Sequence, residues 1–167
     1  LAEVGYAVYG VDINKETIKD LSLGKPHLFE KNLTTRLNQQ LKKKNILFDI
    51  EAPSLFYDVI IISVGTPLKV GTKEPNLDFL KKVIEDVAKL IRKGTLICMR
   101  STLPVGCTRK TILPVLESIS KLKAGKDFYL ASAPERTVEG KALEELRKNS
   151  QIVGGISEVC TQKTANL

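Results

Sequence analysis

The run Val59-Ile60-Ile61-Ile62, inside the stretch DVIIIS, narrows most sharply what this chain can fold into. All four residues are apolar and β-branched, a side-chain type that is stiff at χ1 and favours extended backbone. No polar residue alternates with them, so neither face of the strand suits water. The run is expected to be a parallel strand buried on both faces. Parallel strands need long crossover connections, usually helices, and the remaining sequence has to supply them.

It does so in alternation. AVYGV reads as the first strand, and NKETIKDLSLG as a helix with Asn14 as N-cap and Gly24 as its stop. KPHLFEKNL is a loop. Leu33, Leu37 and Leu41 recur every four residues and predict a second helix, closed by Lys42-Lys43-Lys44, whose cations suit the negative end of the dipole. ILFDI is a short strand. After DVIIIS comes the clearest helix, with Asp78 as cap, one apolar face of Leu80, Val83, Ile84, Val87, Ala88 and Ile91, and Gly94 as its end. TLICMR is a second buried strand. CTRKTILPVLESI is a helix with a kink expected at Pro114. FYLAS is a strand, GKALEELRK a short helix and QIV the last strand. Strands spaced by helices of about 10–15 residues mean βαβ units. The fold class is therefore α/β, a doubly wound parallel sheet with no internal repeat or linker.

The two ends carry their own expectation. LAEVGY reads as the tail of a helix stopped at Gly5, and SEVCTQKTANL begins as a helix capped by Ser157. The chain is expected to be an excerpt from a longer protein, with residues 1–156 an incomplete α/β domain and 157–167 the start of a helix leading onward.

A net charge of +7 admits nucleic acid, membrane surface or anionic metabolites as partners. The lysines are spread along the chain, so neither nucleic acid nor membrane is expected, and a diffuse positive field suits a phosphate-bearing substrate. No apolar run reaches the roughly 18 residues of a membrane span. Cys98, Cys107 and Cys160 are an odd set without a Cys-x-x-Cys pair. That argues against zinc and disulfide frameworks and for a reducing, cytoplasmic setting. No metal site is expected. His27, the single histidine, reads as a loop residue.

Ligands of open α/β sheets bind beyond the carboxyl ends of the strands, which directs attention to four stretches. Asp12 ends the first strand. Its carboxylate could accept from both ribose hydroxyls of a dinucleotide and repel a 2′-phosphate, or it could help cap the helix that follows. In VGTP, Gly65 lets a ligand approach the backbone, and Pro67 biases Thr66 to an extended conformation that would aim its hydroxyl off the sheet; an ordinary strand-ending turn is the other reading. STLPVG sets Ser101 and Thr102 at a strand end, as ligand contacts or as helix-start chemistry. APERTVEG sets Glu135, Arg136 and Glu139 beyond another strand, where they could serve proton transfer, water activation or phosphate contact, or form a solvated charged turn. Each stretch alone is a weak signal, but four of them, each after its own strand, make a ligand site at this end of the sheet the expectation.

Taken together these residues resemble the UDP-sugar 6-dehydrogenases. LAEVGYAVYGVDIN looks like the end of that family's first helix and its second strand, and GKPHLFEKNL is similar to a Gly-, Pro- and Glu-bearing loop. VIIISVGTP, RSTLPVG, APERTVEGKALEEL and QIVGG follow in the family's order, so that the likeness covers essentially the whole chain. The resemblance implies a Rossmann-like domain and an NAD-dependent, two-step oxidation of a sugar CH2OH to a carboxylate, through a cysteine thioester that water releases. It implies that Asp12 contacts the ribose, and that Gly65, Thr66, Pro67, Ser101, Thr102 and Glu139 contact the cofactor. Thr102, Glu135 and Glu139 would stand at the reacting centre, and Glu135, Arg136 and Thr137 would contact the substrate. Arg136 follows Pro-Glu where the UDP-glucose branch has an aromatic residue, which favours UDP-N-acetylmannosamine, then UDP-glucose, then UDP-N-acetylglucosamine. The complete protein is expected to be a homo-oligomer.

The chain departs from that pattern in several places. The first strand and Gly-rich phosphate loop of the family lie outside it, Thr17 stands where a basic residue is common, and the catalytic lysine, asparagine and cysteine are expected beyond residue 167. Cys160 falls outside the nucleophile's motif. The chain on its own is therefore expected to be inactive. The competing readings are another type of Rossmann dehydrogenase, which should lack APERTVEG, and a non-catalytic nucleotide-binding module.

Overall fold

The computed structural model describes residues 1–167. Its strands are β1 (Val8–Val11), β2 (Ile46–Asp49), β3 (Val59–Ile62), β4 (Leu96–Met99), β5 (Tyr129–Ser132) and β6 (Gly154–Gly155). The α-helices are α1 (Lys15–Ser22), α2 (Leu33–Lys42), α3 (Asp78–Leu90), α4 (Leu113–Ser120), α5 (Ala142–Lys148) and α6 (Glu158–Ala165). The alternation read from the sequence is therefore present and the class is α/β. No helix is long and apolar enough to cross a membrane.

The strands form two sheets rather than one. β1 and β2 pair in parallel, Val8 opposite Ile46 through Val11 opposite Asp49. The second sheet has the order β3-β4-β5-β6. In it β3, β4 and β5 are parallel, with Val59 and Tyr129 flanking Leu96. β6 departs from the parallel expectation: it is antiparallel to β5 and lies just after QIV, at Gly154-Gly155. The chain accordingly divides into two compact units. One comprises Leu1–Ser54 with Arg136–Asn149, the other Leu55–Glu135 with Ser150–Leu167.

In the first unit the turn Ala2–Val4 is a short 3-10 helix stopped by Gly5 at φ 100°, a left-handed conformation that suits glycine. Asn14 caps α1 as expected, its side-chain oxygen accepting from the Glu16 and Thr17 N–H groups at 3.0 and 3.2 Å. α2 buries Leu37 and Gln40 and ends in the lysine run, Lys42 in its last turn.

In the second unit, α3 buries Leu80, Ile84, Val87 and Ala88, spaced at three and four residues as an amphipathic helix requires. They join one cluster with Ile97 and Met99 of β4, Leu130 of β5, Leu116 of α4, and Phe128. Alternate residues of a strand point to opposite faces. Cys98 and Ala131 therefore face the other way, and there α6 packs on β4, β5 and β6 with Cys160 fully buried. Ser157 caps α6, accepting from Cys160 N–H.

Three local expectations are corrected, and the irregularity expected near Pro114 takes a specific form. Asp78 does not cap α3; it is the helix's first residue, and the Asn76 side chain accepts its N–H at 2.9 Å. α3 ends at Leu90, and Gly94, at φ 95°, turns the chain into β4. The irregularity near Pro114 is a π-helical turn, Thr108–Ile112, running straight into α4. Proline has no N–H for the ladder, and one wider turn absorbs the missing bond. Finally, all of β4 is buried, but Ile61 of β3 is 40% exposed. β4 lies between two strands, whereas β3 is the edge of its sheet.

Candidate functional site

The carboxyl ends of β3, β4 and β5 lie side by side in the second unit, and the chain leaving each is tied to its neighbour. Arg100 and Ser101 donate their N–H groups to the Ile62 carbonyl at 2.7 and 3.3 Å, Ala133 N–H reaches the Met99 carbonyl at 2.9 Å, and Glu135 N–H the Arg100 carbonyl at 3.1 Å. Parallel pairing is thus carried past the strands into the turns. The result is a cleft of about 500 Å³ whose lining includes Gly65, Thr66, Arg100, Ser101, Thr102 and Glu135.

Hydroxyls hold these turns together. Ser101, buried, donates to the Val64 carbonyl at 2.7 Å. Thr66 donates to the Thr102 carbonyl at 2.8 Å. Its hydroxyl thus runs across the sheet end, not off it as the Pro67 argument predicted, because the neighbouring turn offers a carbonyl within reach. The Thr102 side chain is exposed. Gly65 borders open space: a Cβ built there meets no atom within 4 Å. Pro67 lies outside the cleft lining, exposed, its carbonyl accepting from Asn76 N–H at 2.6 Å.

Arg100 is the main charged group of the cleft. Its side chain is only 16% exposed and pairs with the Glu135 carboxylate through Nη2, while Nη1 donates to Gln151 Oε1 at 3.0 Å. Behind it, burial pushes the Cys98 thiol pKa up, and Arg100 opposes that shift. Cys98, Cys107 and Cys160 are all buried free thiols, and for Cys98 the raised pKa disfavours the nucleophilic thiolate.

Of the expected site residues, the structure gathers Gly65, Thr66, Ser101, Thr102 and Glu135 in this one cleft. Asp12, Arg136, Thr137 and Glu139 belong to the first unit. Asp12, at the end of β1 and exposed, accepts Asn14 N–H on Oδ1 at 2.8 Å. Asp12 thus steadies the N-cap residue, while Asn14 itself caps the N–H groups of α1, and the Asp12 carboxylate, with about four lone-pair sites, keeps capacity for a ribose. In the stretch after Glu135, Asn149 donates to the Arg136 carbonyl at 3.3 Å and Val138 N–H to the Glu145 carboxylate at 2.8 Å. Glu30 accepts from the N–H groups of Gly140 and Ala142 at 2.6 and 3.1 Å. Sequence reasoning assigned no role to Arg100, Gln151 or Glu30. The available signals were a cation set directly at a strand end, before Ser101, and the glutamate of the GKPHLFEKNL loop. No group of three or more His, Cys, Asp or Glu is placed to hold a metal ion.

The residues present fit a dinucleotide. Open space at Gly65 lets a ligand meet the main chain, and exposed hydroxyl and carboxylate groups stand at the strand ends, where doubly wound folds bind ligands. Residues 1–167 match the UDP-glucose/GDP-mannose dehydrogenase family, NAD binding domain. The chain is 38% identical over 171 residues to the UDP-N-acetyl-D-mannosamine dehydrogenase of Pyrococcus horikoshii, covering 99% of this chain and 38% of that protein. It is 32% identical to the enzyme of the same name from Campylobacter jejuni, covering 96% of this chain and 40% of that one. A solved structure of a UDP-D-ManNAc dehydrogenase from Pyrococcus horikoshii superposes with a TM-score of 0.93 at 36% identity, covering 99% of this chain and 39% of that one. The chain thus spans about two fifths of the length of these relatives.

Proposed function

This chain belongs to the UDP-glucose/GDP-mannose dehydrogenase family, as its NAD binding domain, and on that premise we propose that the protein carrying it oxidises the C6 hydroxymethyl of UDP-N-acetyl-D-mannosamine to a carboxylate. The observation that carries the reading is the cleft at the ends of β3, β4 and β5, with open space at Gly65 on one side and the Arg100-held Glu135 on the other. NAD, when bound, supplies the acceptor for each of the two hydrides that a primary alcohol must lose to become an acid. This chain supplies the surroundings. Gly65, Thr66 and Thr102 line the cofactor cleft, with Ser101 bracing its floor and Pro67 shaping the turn beside it. Glu135 and Glu139 are carboxylates suited to taking a proton from the alcohol or from attacking water. Arg136 and Thr137 are assigned to the sugar nucleotide.

The substrate ranking is supported by Arg136 and by the names of the relatives above. The complete protein should oxidise UDP-N-acetyl-D-mannosamine with a higher kcat/KM than UDP-glucose in parallel NADH-absorbance assays. The reverse order would transfer the assignment to UDP-glucose. No NADH from any UDP-sugar would favour a non-catalytic nucleotide-binding module.

Cofactor choice is tested at Asp12. Asp12→Ala in the complete protein should weaken NAD binding by roughly 10- to 100-fold, the value of a charge-assisted hydrogen bond of about 1.5–3 kcal/mol, and narrow the preference over NADP. Asp12→Asn, which keeps an oxygen for the Asn14 N–H, separates loss of the turn from loss of the charge. Calorimetry giving the wild-type NAD affinity for both variants would remove Asp12 from the site.

A further inference from the structure

The geometry assigns to Arg100 a positioning role: it holds the Glu135 carboxylate in register over the cleft, with Gln151 bracing the guanidinium. This rests on the reading of Glu135 as an acid of the site. Three observations carry it. First, the Arg100 main chain joins three strand ends, its N–H on the Ile62 carbonyl at 2.7 Å and its carbonyl receiving Glu135 N–H at 3.1 Å. The backbone under Glu135 is therefore set by the same residue that grips its side chain. Second, Arg100 is largely buried while Glu135 is 44% exposed. The cation is the fixed member of the pair and the carboxylate the one turned toward solvent and ligand. Third, the two ends of the guanidinium fork are on different partners, Nη2 on Glu135 and Nη1 on Gln151 Oε1 at 3.0 Å. A planar, delocalised fork held at both ends cannot swivel. Glu135 and Gln151 lie 35 and 51 residues from Arg100 in the chain, so the arrangement is made by the fold.

A carboxylate that handles a proton has to sit within hydrogen-bond reach of it, and an ångström of misplacement can cost about 100-fold in rate. The pair is tested by a mutant cycle in the complete protein with NAD and UDP-N-acetyl-D-mannosamine. Arg100→Gln should lower kcat by roughly 10- to 100-fold while the KM for NAD stays within about twofold, the split expected when geometry and not cofactor affinity is lost. Arg100→Lys, which keeps the charge but not the fork, should recover part of kcat. Arg100→Gln/Glu135→Gln should be no slower than Glu135→Gln alone, because a positioning residue has nothing left to position. NAD titration by calorimetry, run on each variant, should give the wild-type Kd. If Glu135→Gln is slow while Arg100→Gln turns over normally, or if the two losses multiply, the positioning role is wrong and the reading of Glu135 stands. If Glu135→Gln turns over normally, both fall.

Discussion

Valine at position 65 should raise the NAD dissociation constant of the complete protein by about 100-fold, equivalent to about 2.7 kcal/mol, and leave the melting temperature unchanged. Gly65 lines the cleft, and its backbone is outside the left-handed region in which a side chain is strained. A Cβ there meets no atom within 4 Å. The branch point of the added side chain thus stands in open space in the folded chain, where a ligand approaching the main chain would meet it. Gly155 is the contrasting case, since a Cβ there would collide with Thr161 N and Ser157 O and disturb the seating of α6 instead. Calorimetric titration with NAD and a thermal melt of the same sample distinguish the two kinds of loss. A Gly65→Val protein with the wild-type melt and the wild-type Kd would place the cofactor elsewhere.

Phe128→Ala should remove about 3–5 kcal/mol of stability, the range for a large aromatic truncated in a core. Whole domains are stable by only about 5–15 kcal/mol, so the loss should be visible as a marked fall in the denaturant midpoint. Phe128 is fully buried just before β5, in one cluster with Leu130, Leu116, Ile112 and Ile97. Its own backbone shapes the turn into the strand, the carbonyl accepting from Gly125 N–H at 2.7 Å. Collapse around the hole is restricted because β5 is pinned between β4 and β6. A midpoint shift worth less than about 1 kcal/mol, at constant m-value, would mean that this cluster does not carry the second unit.

The buried ends of β3, β4 and β5 matter to both predictions. The cluster beneath the sheet sets the strands, and the strands set the turns that line the cleft. A fault at Phe128 is therefore expected to weaken the whole unit, whereas a fault at Gly65 is felt by the ligand alone.

What the sequence determined by itself is what short-range physics decides. The spacing of Leu80, Ile84, Val87 and Ala88 defines a helix face whatever lies opposite. Asn14 and Ser157 cap helices because a side-chain oxygen two or three residues away can reach the free N–H groups. The four stretches after the strands were legible as site candidates because parallel sheets present those ends to ligands. Of their residues, Gly65, Thr66, Ser101, Thr102 and Glu135 line one cleft, whereas Asp12, Arg136 and Glu139 belong to the first unit. Whether a strand is central or at an edge is a property of strand order, which is why β4 is wholly buried and Ile61 is not, though both runs are equally apolar. The direction of the Thr66 hydroxyl was decided by a carbonyl 36 residues away, at Thr102. The grip of Arg100 on Glu135 and Gln151 had no local trace at all. A buried guanidinium has to find acceptors among whatever groups the fold brings beside it, and only tertiary structure makes those groups neighbours.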